Sequence, residues 1–176
     1  MRRVYVQGAT YWRIERASIE KELPQLMPAG NPASLTLHWT AGNYSTPYRA
    51  YQVLIAPDHI LVSASLLSYI RHQHTWNRNT GNIGVSFMAM AGATQRNAGA
   101  FPVTKDMVEI ASLVVGMLQK KYGLGKERLH DHAYWAKVDG YNGLRWDTQF
   151  VLPWEKQTLT EVVRRKGWWY RERVKV

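Results

Sequence analysis

Imidazole and carboxylate side chains, the groups that bind catalytic metals, occur at three separated places in this sequence. His38 follows a stretch in which leucine alternates with threonine, the pair His130 and His132 lies far downstream, and Asp147 comes later still. A catalytic zinc site needs three protein ligands and an open position. His38, one histidine of the pair and Asp147 would supply two nitrogens and one oxygen. Spacing alone leaves alternatives open: a hydrogen-bonded histidine at a strand end, and an aspartate that caps a turn.

Composition limits the other kinds of chemistry. The chain has 176 residues and no cysteine, which fits one domain and excludes disulfides, iron–sulfur clusters, thiolate zinc sites and a cysteine nucleophile. Histidine, aspartate and glutamate remain as strong metal ligands. The sequence has no apolar run of membrane-spanning length, and its N-terminal residues lack the apolar core of a signal peptide. These features predict synthesis as a soluble cytoplasmic protein.

The charge balance predicts attraction to a polyanion. Lysine and arginine number 23 against 13 aspartates and glutamates, a net charge of +10. Nucleic acid, an anionic membrane face and the bacterial cell wall are all partners of this kind. Eight tryptophans and ten tyrosines suit stacking on bases and on sugar rings alike. Charge and aromatic content therefore leave the partner open.

Apolar patterning predicts the elements that position these residues. The predicted strands are a first one from Leu35 that runs into a turn at 40–42, then 51–55, 60–62 as the return of a hairpin, and 83–90. The predicted helices are a short amphipathic one across 14–23 that is stopped by Pro24, a long one that Thr104 caps and Gly123 ends, and a last one across 157–166, before a basic tail at 167–171. Together these elements predict an α/β domain with a small central mixed β-sheet flanked by helices.

No break in composition divides the chain. We predict a single domain over residues 1–176, with an N-terminal lead-in at 1–32, a catalytic core at 33–152, and a C-terminal helix and basic aromatic tail at 153–176.

Several segments, in an unchanged order between Ser34 and Phe150, resemble the zinc-dependent N-acetylmuramoyl-L-alanine amidases of type 2. This family includes small phage endolysins and is related to peptidoglycan-recognition proteins. The segments are Leu37-His38-Trp39-Thr40-Ala41-Gly42, Tyr51-Gln52-Val53-Leu54-Ile55, His74 with Ile83-Gly84-Val85, Asp131-His132-Ala133-Tyr134-Trp135-Ala136, Asp139-Gly140-Tyr141 and Arg145-Trp146-Asp147. The resemblance implies an amidase-like or peptidoglycan-recognition-protein-like fold.

The resemblance also implies a metal, a reaction and a partner. Its zinc ligands fall on His38, His132 and Asp147, and His130 then has a structural or supporting place. The implied reaction is hydrolysis of the amide that joins N-acetylmuramic acid to the L-alanine of the stem peptide, with Zn²⁺ as cofactor and bacterial peptidoglycan as partner. The chain would be a monomeric phage or prophage endolysin that acts on the wall after release from the cytoplasm.

The same resemblance assigns roles around the metal and shows four departures. Tyr51 matches a tyrosine beside the metal, which would handle a proton or position water; the alternative is a buried strand aromatic. Arg145 replaces a lysine, and because arginine stays charged it can act only electrostatically. Ser86 replaces a glutamate and cannot be a carboxylate base. Gln52 and Tyr134 also depart from the family and are expected in supporting hydrogen bonds.

Four further residues are candidates for the substrate groove: Trp39, His74, Trp76 and Asn79. The alternative for His74 is a loop histidine without a role. Two other classes of function stay open. One is a peptidoglycan-binding module that has lost catalysis, although all three ligand positions are filled. The other is a nucleic-acid-binding protein, prompted by the charge and by Trp168-Trp169-Tyr170, although no nucleic-acid fingerprint is present.

Overall fold

The computed structural model describes residues 1–141 and 146–176. The strands are β1 (Arg2–Val6), β2 (Ala9–Glu15), β3 (Ser34–Trp39), β4 (Val53–Ile55), β5 (His59–Ser63), β6 (Asn82–Phe87), β7 (Leu129–Asp131), β8 (Val151–Leu152) and β9 (Gln157–Thr158). The helices are α1 (Ile19–Glu22), α2 (Lys105–Lys121), α3 (His132–Val138) and α4 (Leu159–Arg171). The predicted α/β class, a central mixed sheet flanked by helices, is confirmed. No helix in the described residues has both the length and the apolar character needed to cross a bilayer.

The central sheet has the strand order β1-β2-β5-β4-β6-β3-β7. Strands β4, β6, β3 and β7 run parallel to one another. Strand β5 pairs antiparallel with β4 and with β2, and β2 pairs antiparallel with β1. The carboxyl ends of β3, β6 and β7 therefore meet at one edge. In open α/β sheets this is the edge at which ligands bind.

The two faces of the sheet differ in polarity. Leu35, Leu37 and Trp39 of β3 belong to the large hydrophobic cluster that includes residues of α1, α2 and α4. The alternate residues, Thr36 and His38, point to the opposite face because side chains alternate along a strand. That second face carries the polar groups, and α3 lies there. Helices that fill one face thus leave the other available for a site.

The predicted N-terminal helix was wrong over its first half. Ile14 lies in β2 and pairs with Ile60 of β5, and α-helix begins only at Ile19. Tyr11 and Ile14 are both fully buried, but they belong to clusters on opposite faces of the sheet. Because β2 is buried on both faces, its apolar residues do not simply alternate with polar ones. The three-residue spacing of Tyr11 and Ile14 therefore resembles the apolar spacing of a helix. Residues 1–32 therefore supply two strands of the sheet.

The predicted basic tail is also wrong, because α4 continues through it to Arg171. Gly167 does not end the helix. A Cβ on Gly167 would come within 2.9 Å of the Val115 side chain, and one on Gly116 would lie 2.6 Å from the Gly167 carbonyl oxygen. The two glycines therefore allow α2 and α4 to pack in close contact.

The long helix α2 begins and ends as predicted. The Thr104 hydroxyl oxygen accepts the Met107 backbone N–H at 3.2 Å, and Gly123 follows the helix with φ at +65°. Replacing Thr104 by alanine is expected to lower the free energy of unfolding by about 1 kcal/mol, because this N–H loses its partner. Urea unfolding measures the change. Thr104→Ser keeps the hydroxyl and is the matched control, so equal losses in both variants would contradict the capping role.

Candidate metal centre

His38 lies near the carboxyl end of β3 and is fully buried. Its side chain points to the polar face of the sheet, where Ser86 of β6 is its registered neighbour. The Ser86 hydroxyl is buried and has no hydrogen-bond partner among the described residues. Burial lowers the pKa of His38, and this outweighs the opposing effect of Asp147. His38 is therefore a neutral imidazole at neutral pH, the form that binds metals.

His132 reaches the same place from the neighbouring strand. Strand β7 runs parallel to β3, with Asp131 in register with Leu37, and His132 is the first residue of α3. Asp131 caps this helix, because its carboxylate accepts the Tyr134 backbone N–H at 2.7 Å. The cap fixes where α3 begins. The rings of His38 and His132 lie 4.9 Å apart between centroids.

Asp147 completes the cluster from the chain segment before β8. One carboxylate oxygen lies 3.0 Å from His38 Nδ1, and the other lies 3.3 Å from His132 Nδ1. The next residue, Thr148, anchors this turn to α4 through the Thr160 hydroxyl at 2.8 Å. Burial alone would raise the pKa of Asp147, but the two histidines hold it well below its ordinary value. Asp147 is therefore a carboxylate.

The donor set fits a cation. His38, His132 and Asp147 each offer one ligand atom, and these atoms all lie within 4.8 Å of one another. A tetrahedral site with metal–ligand bonds of about 2.0–2.1 Å separates neighbouring ligand atoms by about 3.3 Å. The contacts from Asp147 to the two histidines, at 3.0 and 3.3 Å, are close to that spacing. These three residues, the ones implied by the resemblance, could therefore hold a metal ion.

The cluster opens into a groove of about 490 Å³, whose lining includes Trp39, Tyr51, Trp146, His132 and Asp147. The rings of Trp39 and Trp146 meet edge to face at 5.0 Å, and the Tyr51 ring lies 5.1 Å from that of His38. The predicted groove residue Trp39 and the predicted catalytic residue Tyr51 thus lie at the candidate metal centre. Arg145, the other predicted catalytic residue, lies outside the described residues.

Trp76 borders a different cleft. Its side chain is 60% exposed and packs 5.6 Å from the Tyr141 ring. The cleft between them is narrow and reaches Thr75 and His132. Trp76 is therefore available to a ligand that extends past His132 on the side away from Trp39.

His74 and Asn79 occupy places other than the predicted groove. His74 is 7% exposed and lies behind His38, with its Nδ1 3.0 Å from His38 Nε2. The Asn79 side-chain oxygen accepts the backbone N–H groups of His74 and Thr75, each at 2.9 Å. Asn79 thus fixes the loop that carries His74. Neither residue lines the groove beside Asp147.

Three residues make supporting contacts that were not predicted from the sequence. The Thr75 hydroxyl lies 2.9 Å from His74 Nδ1 and 3.3 Å from His38 Nε2. The Asn82 carbonyl contacts His74 Nε2 at 3.2 Å. Gln149 donates to Asp131, the cap residue of α3. Their only signal in the sequence is a polar residue type, which is too common to identify them.

Gln52, expected in a supporting hydrogen bond, makes two such bonds to β6. Its amide nitrogen donates to the Asn82 carbonyl at 3.3 Å, and its oxygen accepts the Gly84 N–H at 2.7 Å. His130, which was set aside as a ligand, stacks on Tyr134 at 4.2 Å between ring centroids. It has no place in the cluster of possible metal ligands.

Comparison with known proteins adds no family to this geometry. No protein-family model, no curated protein and no solved structure matches the chain. The resemblance to the amidases therefore stays an expectation drawn from the motifs.

Proposed function

We propose that this protein is a zinc-dependent N-acetylmuramoyl-L-alanine amidase, an endolysin that hydrolyses bacterial peptidoglycan. The observation that carries the proposal is the convergence of His38, His132 and Asp147 in an open groove. These are the ligands that the amidase resemblance implies, although they are far apart in the sequence.

Zinc is the metal that this donor set favours. Two imidazole nitrogens and one carboxylate oxygen form a known combination of catalytic zinc ligands, with a position left for water or substrate. Zinc would supply Lewis-acid chemistry, polarising the substrate carbonyl and lowering the pKa of a bound water. The protein contributes the orientation of the ligands and the exclusion of bulk water around the buried His38.

The side chains around the groove have complementary tasks. Tyr51 is the phenol nearest to His38 in the groove lining, so we assign it to holding water or transferring a proton to the leaving amine. Arg145 would stabilise negative charge on the carbonyl oxygen as a permanent cation. Ser86, at the place of a glutamate in some relatives, cannot act as a carboxylate base.

A polymeric substrate suits the rest of the molecule. The groove is open, and the aromatic rings of Trp39 and Trp146 form part of its lining, which suits packing on sugar rings. A net charge of +10 would increase the rate of encounter with an anionic wall. We assign the protein to the wall after its release from the cytoplasm, and we expect it to act as a monomer.

The test is to identify the bond that is cut. Purified chain with zinc is expected to release stem peptides with free L-alanine amino groups from purified peptidoglycan, without new reducing sugar ends. A chelator should stop the release, and added zinc should restore it, because the ligand set needs the metal for its chemistry. Mass spectrometry of the soluble products measures both.

A control distinguishes metal loss from unfolding. The chelated protein should keep its helical circular dichroism, since the large hydrophobic cluster lies on the other face of the sheet. Binding of peptidoglycan by the zinc-loaded protein without release of peptide would favour the non-catalytic module. Salt-dependent binding of oligonucleotides that a chelator does not change would favour the nucleic-acid-binding alternative.

A further inference from the structure

A buried row of polar contacts leads from the backbone of β6 to His38. The Asn82 carbonyl oxygen lies 3.2 Å from His74 Nε2, and His74 Nδ1 lies 3.0 Å from His38 Nε2. The other ring nitrogen of His38, Nδ1, faces Asp147 at 3.0 Å. His38 and His74 are both buried. These contacts connect a fixed backbone group to the atom that would bind the metal.

The order of donors and acceptors along this row follows from its two ends when a metal ion occupies His38 Nδ1. A backbone carbonyl can only accept, so the contact with Asn82 assigns a proton to His74 Nε2. A neutral imidazole carries one proton, which leaves a lone pair on His74 Nδ1. A metal ion at His38 Nδ1 would leave the ring proton of His38 on Nε2, which can donate to that lone pair. Without a metal, the Asp147 carboxylate can only accept, so the 3.0 Å contact favours a proton on His38 Nδ1.

The Thr75 hydroxyl is compatible with the same order. It lies 2.9 Å from His74 Nδ1 and 3.3 Å from His38 Nε2. A hydroxyl both donates and accepts, so Thr75 can donate to His74 while it accepts from His38. The direction of the His38 proton is unchanged by this contact.

We propose that His74 is a positioning residue, which holds the His38 ring in the tautomer and orientation that present Nδ1 to a metal ion. A histidine ligand is generally oriented by the hydrogen bond that its second nitrogen makes. Most such partners are carboxylates, carbonyls or water; here the partner is a second imidazole, whose own tautomer is set by the Asn82 carbonyl.

Packing holds the His74 ring in this position. A Cβ on Gly84 would lie 2.7 Å from His74 Cγ and 2.8 Å from Cδ2, so the ring lies directly against the backbone of β6. Gln52 bonds that same backbone on both sides of residue 83. On the loop side, Asn79 accepts the His74 N–H. These contacts hold the His74 ring against β6, with Nδ1 towards His38.

The inference rests on the proposed metal centre, and its test measures binding rather than activity. His74→Phe fills the space without an acceptor for His38, and it is expected to weaken zinc affinity by about 10- to 100-fold. His74→Asn places an amide oxygen near the position of Nδ1 and is expected to recover most of the affinity. Competition with a chromophoric chelator measures both dissociation constants.

A matched control removes another buried histidine from the same loop. His72 contacts the Arg49 carbonyl at 2.7 Å and the Ser63 hydroxyl at 2.8 Å. Within the described part of the chain it makes no hydrogen bond to His38 or His74. His72→Phe should leave the zinc affinity unchanged. If His74→Phe binds zinc as the unmodified protein does, or no more weakly than His72→Phe, the positioning role is refuted.

A second measurement tests the same contact in the zinc-loaded protein. The Nε2 proton of His38 is expected to give a downfield, slowly exchanging NMR signal, which is shifted upfield or lost in His74→Phe because its acceptor is gone. An unchanged His38 signal in His74→Phe would overturn the inference. If His74→Phe weakens zinc binding as expected while the zinc-loaded unmodified protein releases no stem peptide, the proposed function fails and the role of His74 in orienting His38 stands.

Discussion

Replacing Asp147 by alanine is expected to abolish zinc retention and to lower peptidoglycan hydrolysis by about a thousand-fold or more, since a metal contributes several kcal/mol of transition-state stabilisation. The carboxylate contacts both histidines, at 3.0 and 3.3 Å, and supplies the negative charge among the three ligands. Without it, two neutral imidazoles would have to hold a divalent ion alone. Metal analysis after dialysis and release of stem peptide measure the two effects.

A second aspartate–histidine pair in the chain offers the control. Asp58 lies 2.6 Å from His59 in the turn that connects β4 and β5, and its side chain is 70% exposed. Asp58→Ala removes a carboxylate from a histidine without touching the groove, so zinc content and hydrolysis should not change. Hydrolysis retained by Asp147→Ala would show that Asp147 is not a ligand and would remove the main support for the amidase proposal.

The sequence predicted the parts of this site that lie on regular elements. His38 was placed correctly because β3 has a clear alternation, with leucines on one face and Thr36 and His38 on the other. The long helix α2 was predicted from its apolar spacing and its caps. Choosing His132 over His130, however, came from the resemblance, since both histidines lie within one strand-to-helix junction and spacing cannot separate them.

The features that were not predicted correctly have one physical cause in common: they depend on contacts between parts of the chain that are distant in the sequence. Helix α3 has no fully buried residue, so it lacks the apolar periodicity from which a helix is predicted. His74 lies in an irregular loop whose path is set by single hydrogen bonds, such as the one from Asn79. The last helix was predicted over 157–166, but it continues through Gly167, because a glycine that follows a helix and one that permits close helix packing look identical in a sequence. Such features depend on tertiary contacts.

Tyr51 is the groove residue that we expect to donate the proton needed by the leaving amine. Amide hydrolysis needs a proton for the leaving amine, and neither Ser86 nor the permanently charged Arg145 can exchange one near neutral pH. Tyr51 lines the groove beside His132 and Asp147, and its ring lies 5.1 Å from that of His38. Its backbone carbonyl accepts the Tyr11 hydroxyl at 2.6 Å, which fixes the start of this segment. The Tyr51 ring thus lies at the candidate metal centre.

Replacing Tyr51 by phenylalanine is therefore expected to lower kcat for peptidoglycan by about 100-fold or more, while zinc content stays unchanged because the ring is not a metal ligand. Steady-state release of stem peptide and metal analysis separate the two quantities. Tyr44→Phe is the control, since that phenol bonds the Pro102 carbonyl at 2.6 Å and should matter little for kcat. Undiminished kcat in Tyr51→Phe would mean that the tyrosine only packs the strand, and that the proton comes from another group in the groove.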